Sequence, residues 1–113
     1  MNRYVVKCSF IDRFNVWLDP EFLTPKETRR FHRALQRLKY NKGSTVTIGG
    51  RKIQIPRKQV AYGDPGTSYR FTGTEVAARD WKSDNIGKAI NLIRKQIQFI
   101  YGYRFNFCLV NRY

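Results

Sequence analysis

Pro56-Arg57-Lys58-Gln59-Val60-Ala61-Tyr62-Gly63-Asp64, continued by Pro65-Gly66 and then by Tyr69-Arg70-Phe71-Thr72-Gly73, is the stretch from which the rest of the chain can be read. Lys58 to Tyr62 has the β-branched and aromatic content of a strand. Gly63-Asp64-Pro65-Gly66 is a turn: glycine tolerates positive φ, and proline presets φ for a turn position. Tyr69-Arg70-Phe71 is short and extended. Just upstream, Thr45-Val46-Thr47-Ile48 and Lys52-Ile53-Gln54-Ile55 alternate at period two. Gly49-Gly50, with or without Arg51, joins them as a hairpin turn, and Pro56 ends the second strand.

Farther out, two helices are expected. Thr24-Pro25-Lys26-Glu27 is a helix start: Thr24 caps, Pro25 suits the first helical position, and Glu27 completes a capping box. Phe31, Leu35 and Leu38 then recur at the spacing of a buried stripe, with Arg29, Arg33 and Arg37 beside it, and the helix should end near Tyr40. Asp84 caps a second helix, in which Ile86, Ile90, Ile93, Ile97 and Ile100 keep helical spacing up to Gly102. Tyr4 to Ile11 reads as a strand, Asn15 to Leu18 as a second short apolar run, and Tyr103 to Tyr113 as a long final strand. Gly73 to Ser83 reads mostly as loop.

The 113 residues suffice for one domain, taken as 1–113. Apolar residues make up 42%, too many for a disordered basic tail, so the chain buries a core. Against 8 Asp+Glu stand 22 Lys+Arg, a net charge of +14, which points to a polyanionic partner. The charge is concentrated. Between Glu27 and Asp64 there is no acidic residue, while the first helix and the hairpin carry Arg29, Arg33, Arg37, Arg51 and Lys52, followed by Arg57 and Lys58. That suits phosphates. Interleaved Tyr40, Ile48, Tyr62, Tyr69 and Phe71 could stack on bases or wedge between them.

Other classes are excluded. No apolar run approaches the roughly 18 residues that span a bilayer, so no membrane partner is expected. The start is broken by Lys7 and Asp12 and does not read as a signal peptide. Cys8 and Cys108 fit no CxxC pattern and read as reduced structural thiols. His32, the only histidine, reads as a solvent-facing helical residue.

The Pro56–Asp64 run with Tyr69-Arg70-Phe71-Thr72-Gly73 resembles the AlkB family of Fe(II)/2-oxoglutarate dioxygenases, closest to its eukaryotic and viral nucleic-acid branch. The ending Asn106-Phe107-Cys108-Leu109-Val110-Asn111-Arg112-Tyr113 resembles the N-F-x-L-x-N-x-Y strand of that branch, and Phe22-Leu23-Thr24-Pro25-Lys26-Glu27 its opening helix. The resemblance covers about residues 15–113. It implies an α+β fold: the N-terminal helices and strands of a double-stranded β-helix (jelly roll), incomplete here. It implies oxidative removal of alkyl groups from DNA or RNA bases, in the nucleus or cytoplasm. By resemblance Asn111 and Tyr113 bind 2-oxoglutarate, since an amide and a phenol can both donate to a carboxylate. Phe71 stacks on the flipped base, with Tyr69 and Thr72 lining its pocket, where a cationic alkylated base gains cation–π attraction. The hairpin matches a loop that inserts an apolar finger into the duplex, with Ile48 or Val46 as the wedge, and Arg51, Lys52, Arg57 and Lys58 close to nucleic acid. Read without the resemblance, Tyr69 and Phe71 are core aromatics, Asn111 a strand-edge residue and Tyr113 a frayed terminus.

The family holds iron with His-x-Asp and a distant His. One histidine cannot supply that set, so neither Fe(II) nor 2-oxoglutarate is expected to bind this chain alone, and a missing C-terminal half is expected. Phe105 to Tyr113 would then be a strand without a partner, an aggregation-prone edge. The alternative is a basic nucleic-acid-binding module without catalysis.

Overall fold

The computed structural model describes residues 9–11, 16–41, 45–54, 58–71 and 74–113. They fall into two compact units, the first ending at Arg37 and the second formed by Leu38–Tyr113.

In the first unit β1 (Ser9–Ile11) pairs antiparallel with β2 (Val16–Leu18), Phe10 opposite Trp17. Tyr4 to Cys8 of the expected first strand lies outside the described residues. Helix α1 (Pro25–Arg37) starts as its capping box dictates. The Glu27 backbone N–H donates to Thr24 Oγ1 at 3.1 Å, and the Thr24 N–H donates to Glu27 Oε1 at 3.0 Å. Arg29, Arg33 and Arg37 are exposed, and Phe31 and Leu35 are half-buried. The helix stops at Arg37, three residues before the expected Tyr40. The reason lies in the second unit, where the Asn41 N–H donates to the Gln59 carbonyl at 2.9 Å and forms a bridge with that strand. A backbone committed to a sheet partner at Asn41 has to leave helical geometry beforehand.

The second unit opens with the hairpin of β3 (Thr45–Ile48) and β4 (Arg51–Gln54). Gly49 and Gly50 alone make its turn, with φ of 58° and 76°, and Arg51 is already paired with Ile48. Two consecutive positive φ values match the twist of antiparallel strands and favour glycine. Ile55 and Pro56 lie outside the described residues.

Four further strands form one sheet in the order β6-β7-β5-β8. They are β5 (Lys58–Gly63), β6 (Ser68–Phe71), β7 (Thr74–Asp80) and β8 (Phe107–Arg112). β7 runs parallel to β5 and antiparallel to β6. It corrects the expected loop over Gly73–Ser83. Thr74-Glu75-Val76-Ala77-Ala78-Arg79-Asp80 has little β propensity of its own, but it gains neighbours on both sides, and that pairing overrides composition. β8 corrects the expected unpartnered strand: it is antiparallel to β5 from Lys58↔Arg112 to Gly63↔Phe107. It is also shorter than expected, because Tyr103 to Asn106 is irregular.

Helix α2 (Asn85–Tyr101) connects β7 to β8. Asp84 caps it as expected, its carboxylate accepting from the Gly87 N–H, and Gly102 ends it at φ 76° with its N–H on the Gln98 carbonyl. Ile86, Gly87 and Ile90 are its buried residues. The core forms around β5, whose Val60, Ala61 and Tyr62 are buried on both faces, together with Val76, Trp81, Ile86 and Ile90. This α+β architecture agrees with part of a jelly roll.

Candidate functional site

The sheet registers sort the candidate residues by face. Side chains alternate along a strand, and directly paired residues share a face. Tyr62 pairs with Arg79 on β7, and both reach Asp84 at the start of α2, so this face carries the helix. Gln59 and Ala61 take the opposite face, with Ala78 and Val76 of β7, Leu109 and Asn111 of β8, and Tyr69, which pairs with Val76. Tyr69 and Asn111 thus occupy one face of one sheet, the one away from α2. They stand on its opposite edge strands, three strand spacings apart, or about 14 Å.

Asn111 sits directly across from Gln59, whose Nε2 donates to Asn111 Oδ1 at 3.0 Å. Gln59 is buried and Asn111 exposed. The bond occupies the amide oxygen and leaves the Asn111 NH2 donors facing outward from that pairing. Gln59 joins the candidate residues through this bond, and sequence reading missed it. Its only signal was a polar side chain inside an otherwise apolar strand. Tyr113 lies just past β8 and is 86% exposed. Tyr69 is 36% exposed, enough for ring contact with a ligand. Phe71 ends β6 opposite Thr74, while Thr72 and Arg57 lie outside the described residues.

The hairpin carries its own chemistry. Ile48 is 58% exposed and pairs with Arg51 directly beside the glycine turn, and Ile53 is exposed on the same face. Lys52, opposite Thr47, takes the other face. Every β4 residue is exposed, so the hairpin presents an apolar tip flanked by two cations. Lys58 is exposed at the start of β5. Tyr62 is corrected: with no solvent exposure it cannot stack on a base.

Two carboxylates organise the loops around the sheet, and neither was anticipated in full. Asp84 caps α2 through Oδ1, accepts the Tyr62 hydroxyl on Oδ2 at 2.7 Å, and faces Arg79 at 4.0 Å. Arg79 also donates to the Lys39 carbonyl at 3.0 Å. Asp64 accepts the Trp81 indole N–H and the Arg104 guanidinium, both at 3.0 Å. Arg94 lies over the Trp81 ring at 5.2 Å and donates to the Phe105 carbonyl. The turn read from Gly63-Asp64-Pro65-Gly66 is therefore tied to Trp81, just ahead of α2, and to the irregular segment between α2 and β8.

The Trp81 N–H first, and then the Arg104 guanidinium, hold the Asp64 carboxyl below its ordinary 3.8. Both favour the charged form. A depressed carboxylate stabilises the fold above its unfolded pKa and loses that contribution as pH falls through the folded one. The wild-type thermal midpoint is therefore expected to fall more steeply than that of Asp64→Asn as pH drops below about 4. Parallel pH profiles would refute the assignment. Burial pushes the Cys108 thiol up, away from the reactive thiolate.

Among the described residues no group of three or more His, Cys, Asp or Glu could hold a metal ion. The chain's single histidine, His32, is exposed on α1. The residues present do not fit a two-His-one-carboxylate iron site. No described helix is long and apolar enough to cross a membrane.

The chain is 33% identical over 88 residues to the DNA oxidative demethylase ALKBH2 of Bos taurus and 34% identical over 88 residues to that of Homo sapiens. It is 33% identical over 85 residues to that of Mus musculus. The matches take in 78%, 78% and 74% of this chain, but 27%, 29% and 34% of the relatives. The chain thus spans roughly a quarter to a third of the length of the curated relatives it matches. No family model matches it.

Proposed function

We propose, from this similarity to the AlkB-like dioxygenases, that the chain works in the oxidative removal of alkyl groups from nucleic-acid bases, as the portion that recognises the substrate. The observation that carries this reading is the common sheet face of Tyr69 and Asn111, reached from distant parts of the sequence. Tyr69, Phe71 and Thr72 line the pocket for an extruded base, and an alkylated, cationic base is preferred there because an aromatic face attracts positive charge. Asn111 and Tyr113 offer an amide and a phenol to a carboxylate of 2-oxoglutarate. Ile48 is the wedge at the hairpin tip, with Arg51, Lys52, Arg57 and Lys58 toward phosphates. The setting is nuclear or cytoplasmic, where such bases occur.

Fe(II) and 2-oxoglutarate supply the oxidising chemistry of the family. One histidine cannot make that family's iron site within these 113 residues. This chain's own contribution is to hold and orient the base and the cosubstrate carboxylate.

Fluorescence anisotropy tests the reading with single-stranded oligonucleotides that differ by one 1-methyladenine. Wild type is expected to prefer the methylated strand by roughly three- to tenfold, about 0.7–1.4 kcal/mol. Tyr69→Ala is expected to abolish the preference while total binding at low salt persists. Equal affinity for the two strands would overturn the base pocket. With Fe(II), 2-oxoglutarate and the methylated strand, these 113 residues alone are expected to release no formaldehyde. Release would overturn the division of labour.

A further inference from the structure

The face of α1 that carries Lys26, Arg29, Arg30, Arg33 and Arg37 belongs to neither the hairpin nor the sheet face. These five cations and Ala34 line a recess of about 370 Å³. Ala34 has the one short side chain in the group, so it leaves space between Arg30, Arg33 and Arg37.

Helix physics disfavours this arrangement without a partner. Lys26/Arg30, Arg29/Arg33 and Arg33/Arg37 are like-charge pairs at i, i+4, a spacing that destabilises a helix. Among the described residues none of the five has a carboxylate partner in an ion pair. The one acid of the helix, Glu27, closes the capping box. An external polyanion would relieve the repulsion. Successive arginines at positions 29, 33 and 37 rise by about 6 Å along the axis. Two nucleotide steps along one strand advance about 7 Å.

We infer that this face of α1 is a second binding surface for the nucleic-acid backbone, one that grips phosphates and reads no base. The partner class rests on the proposed nucleic-acid function; the site itself rests on charge, spacing and the recess. A membrane surface fits less well. An interfacial helix needs an exposed apolar face, and none of the exposed large apolar residues lies on α1.

The test measures binding of the whole chain to an unmodified single-stranded 20-mer across a salt series. It compares wild type with R29Q/R33Q/R37Q and with K82Q/K88Q/K95Q, which removes equal charge from exposed lysines around and on α2. Glutamine keeps helix propensity, and circular dichroism checks that each variant folds. Losing three phosphate contacts should lower the slope of log affinity against log salt by about 2. The arginine variant is expected to show that drop and the lysine variant to keep the wild-type slope. Ala34→Glu, which puts a carboxylate in the recess, should weaken binding in the same direction. Equal drops in both triple variants would reduce the effect to net charge and overturn the inference. So would an unchanged slope in the arginine variant, or a variant that loses phosphatidylserine vesicles while it keeps the oligonucleotide. Failure of the wild type to bind at low salt would instead overturn the nucleic-acid function.

Discussion

Replacing Tyr62 with alanine is expected to destabilise the second unit by roughly 3–5 kcal/mol, as for other large aromatic side chains removed from a core. Tyr62 has no solvent exposure, sits on the central strand, and its ring is packed against Gly87 of α2. With total domain stability near 5–15 kcal/mol, such a loss leaves little fold. Urea unfolding in a Trp17→Phe background, where fluorescence reports on Trp81 alone, measures it, and a loss below about 1 kcal/mol would show that the sheet and α2 are not packed as described. Tyr62→Phe isolates the hydroxyl. It keeps the ring, removes the 2.7 Å bond to Asp84, and should cost about 1–2 kcal/mol. Burial, reinforced by Asp84, pushes the phenol well above its ordinary 10.0. A raised pKa means that the stabilisation is complete below the unfolded value and fades as pH rises past it. Wild type should therefore lose stability above about pH 10, and Tyr62→Phe should lose this alkaline dependence.

Gly87→Ala reverses an ordinary expectation. In a helix interior, alanine is better than glycine by about 1 kcal/mol. Here a Cβ at position 87 would lie 2.6 Å from the Trp81 carbonyl oxygen and 2.9 Å and 3.0 Å from two Tyr62 ring carbons. The first neighbour is backbone and the second is the most tightly enclosed ring of the core, so neither yields cheaply. Overpacking of this kind costs about 1–3 kcal/mol, and a net loss is expected despite the propensity gain. A stabilised Gly87→Ala in the same urea titration would mean that α2 stands farther from β5.

Local signals carried far in this chain. Thr24-Pro25-Lys26-Glu27, Asp84 with its isoleucine stripe, and Gly49-Gly50 each specify an element through nearest neighbours, and each element forms where those residues point. What failed was decided at long range. β7 contains two alanines and three charged residues and is a strand because β5 and β6 flank it. α1 ends early because Asn41 is claimed by Gln59. Tyr62 looked like its exposed aromatic neighbours, and only the placement of α2 over β5 makes it core. For the candidate site, family resemblance named Asn111 and Tyr69 as candidates. Their shared face and the Gln59 contact were not, since both depend on register between strands far apart in sequence.

The pairing of Lys58 with Arg112 has a consequence for assembly of the chain. β5 is synthesised midway, yet its antiparallel neighbour β8 comes last among the sheet strands in chain order. On the ribosome, β5 to β7 emerge with one flank of the central strand still empty, while the capped helix and the glycine hairpin can form from local interactions at once. Closing the loop between β5 and β8 carries the largest loop-closure cost among the sheet pairings, since it spans the longest stretch of chain. Until then the open flank of β5 is a docking site for strands of other nascent chains, and chaperone demand during translation should peak in that interval.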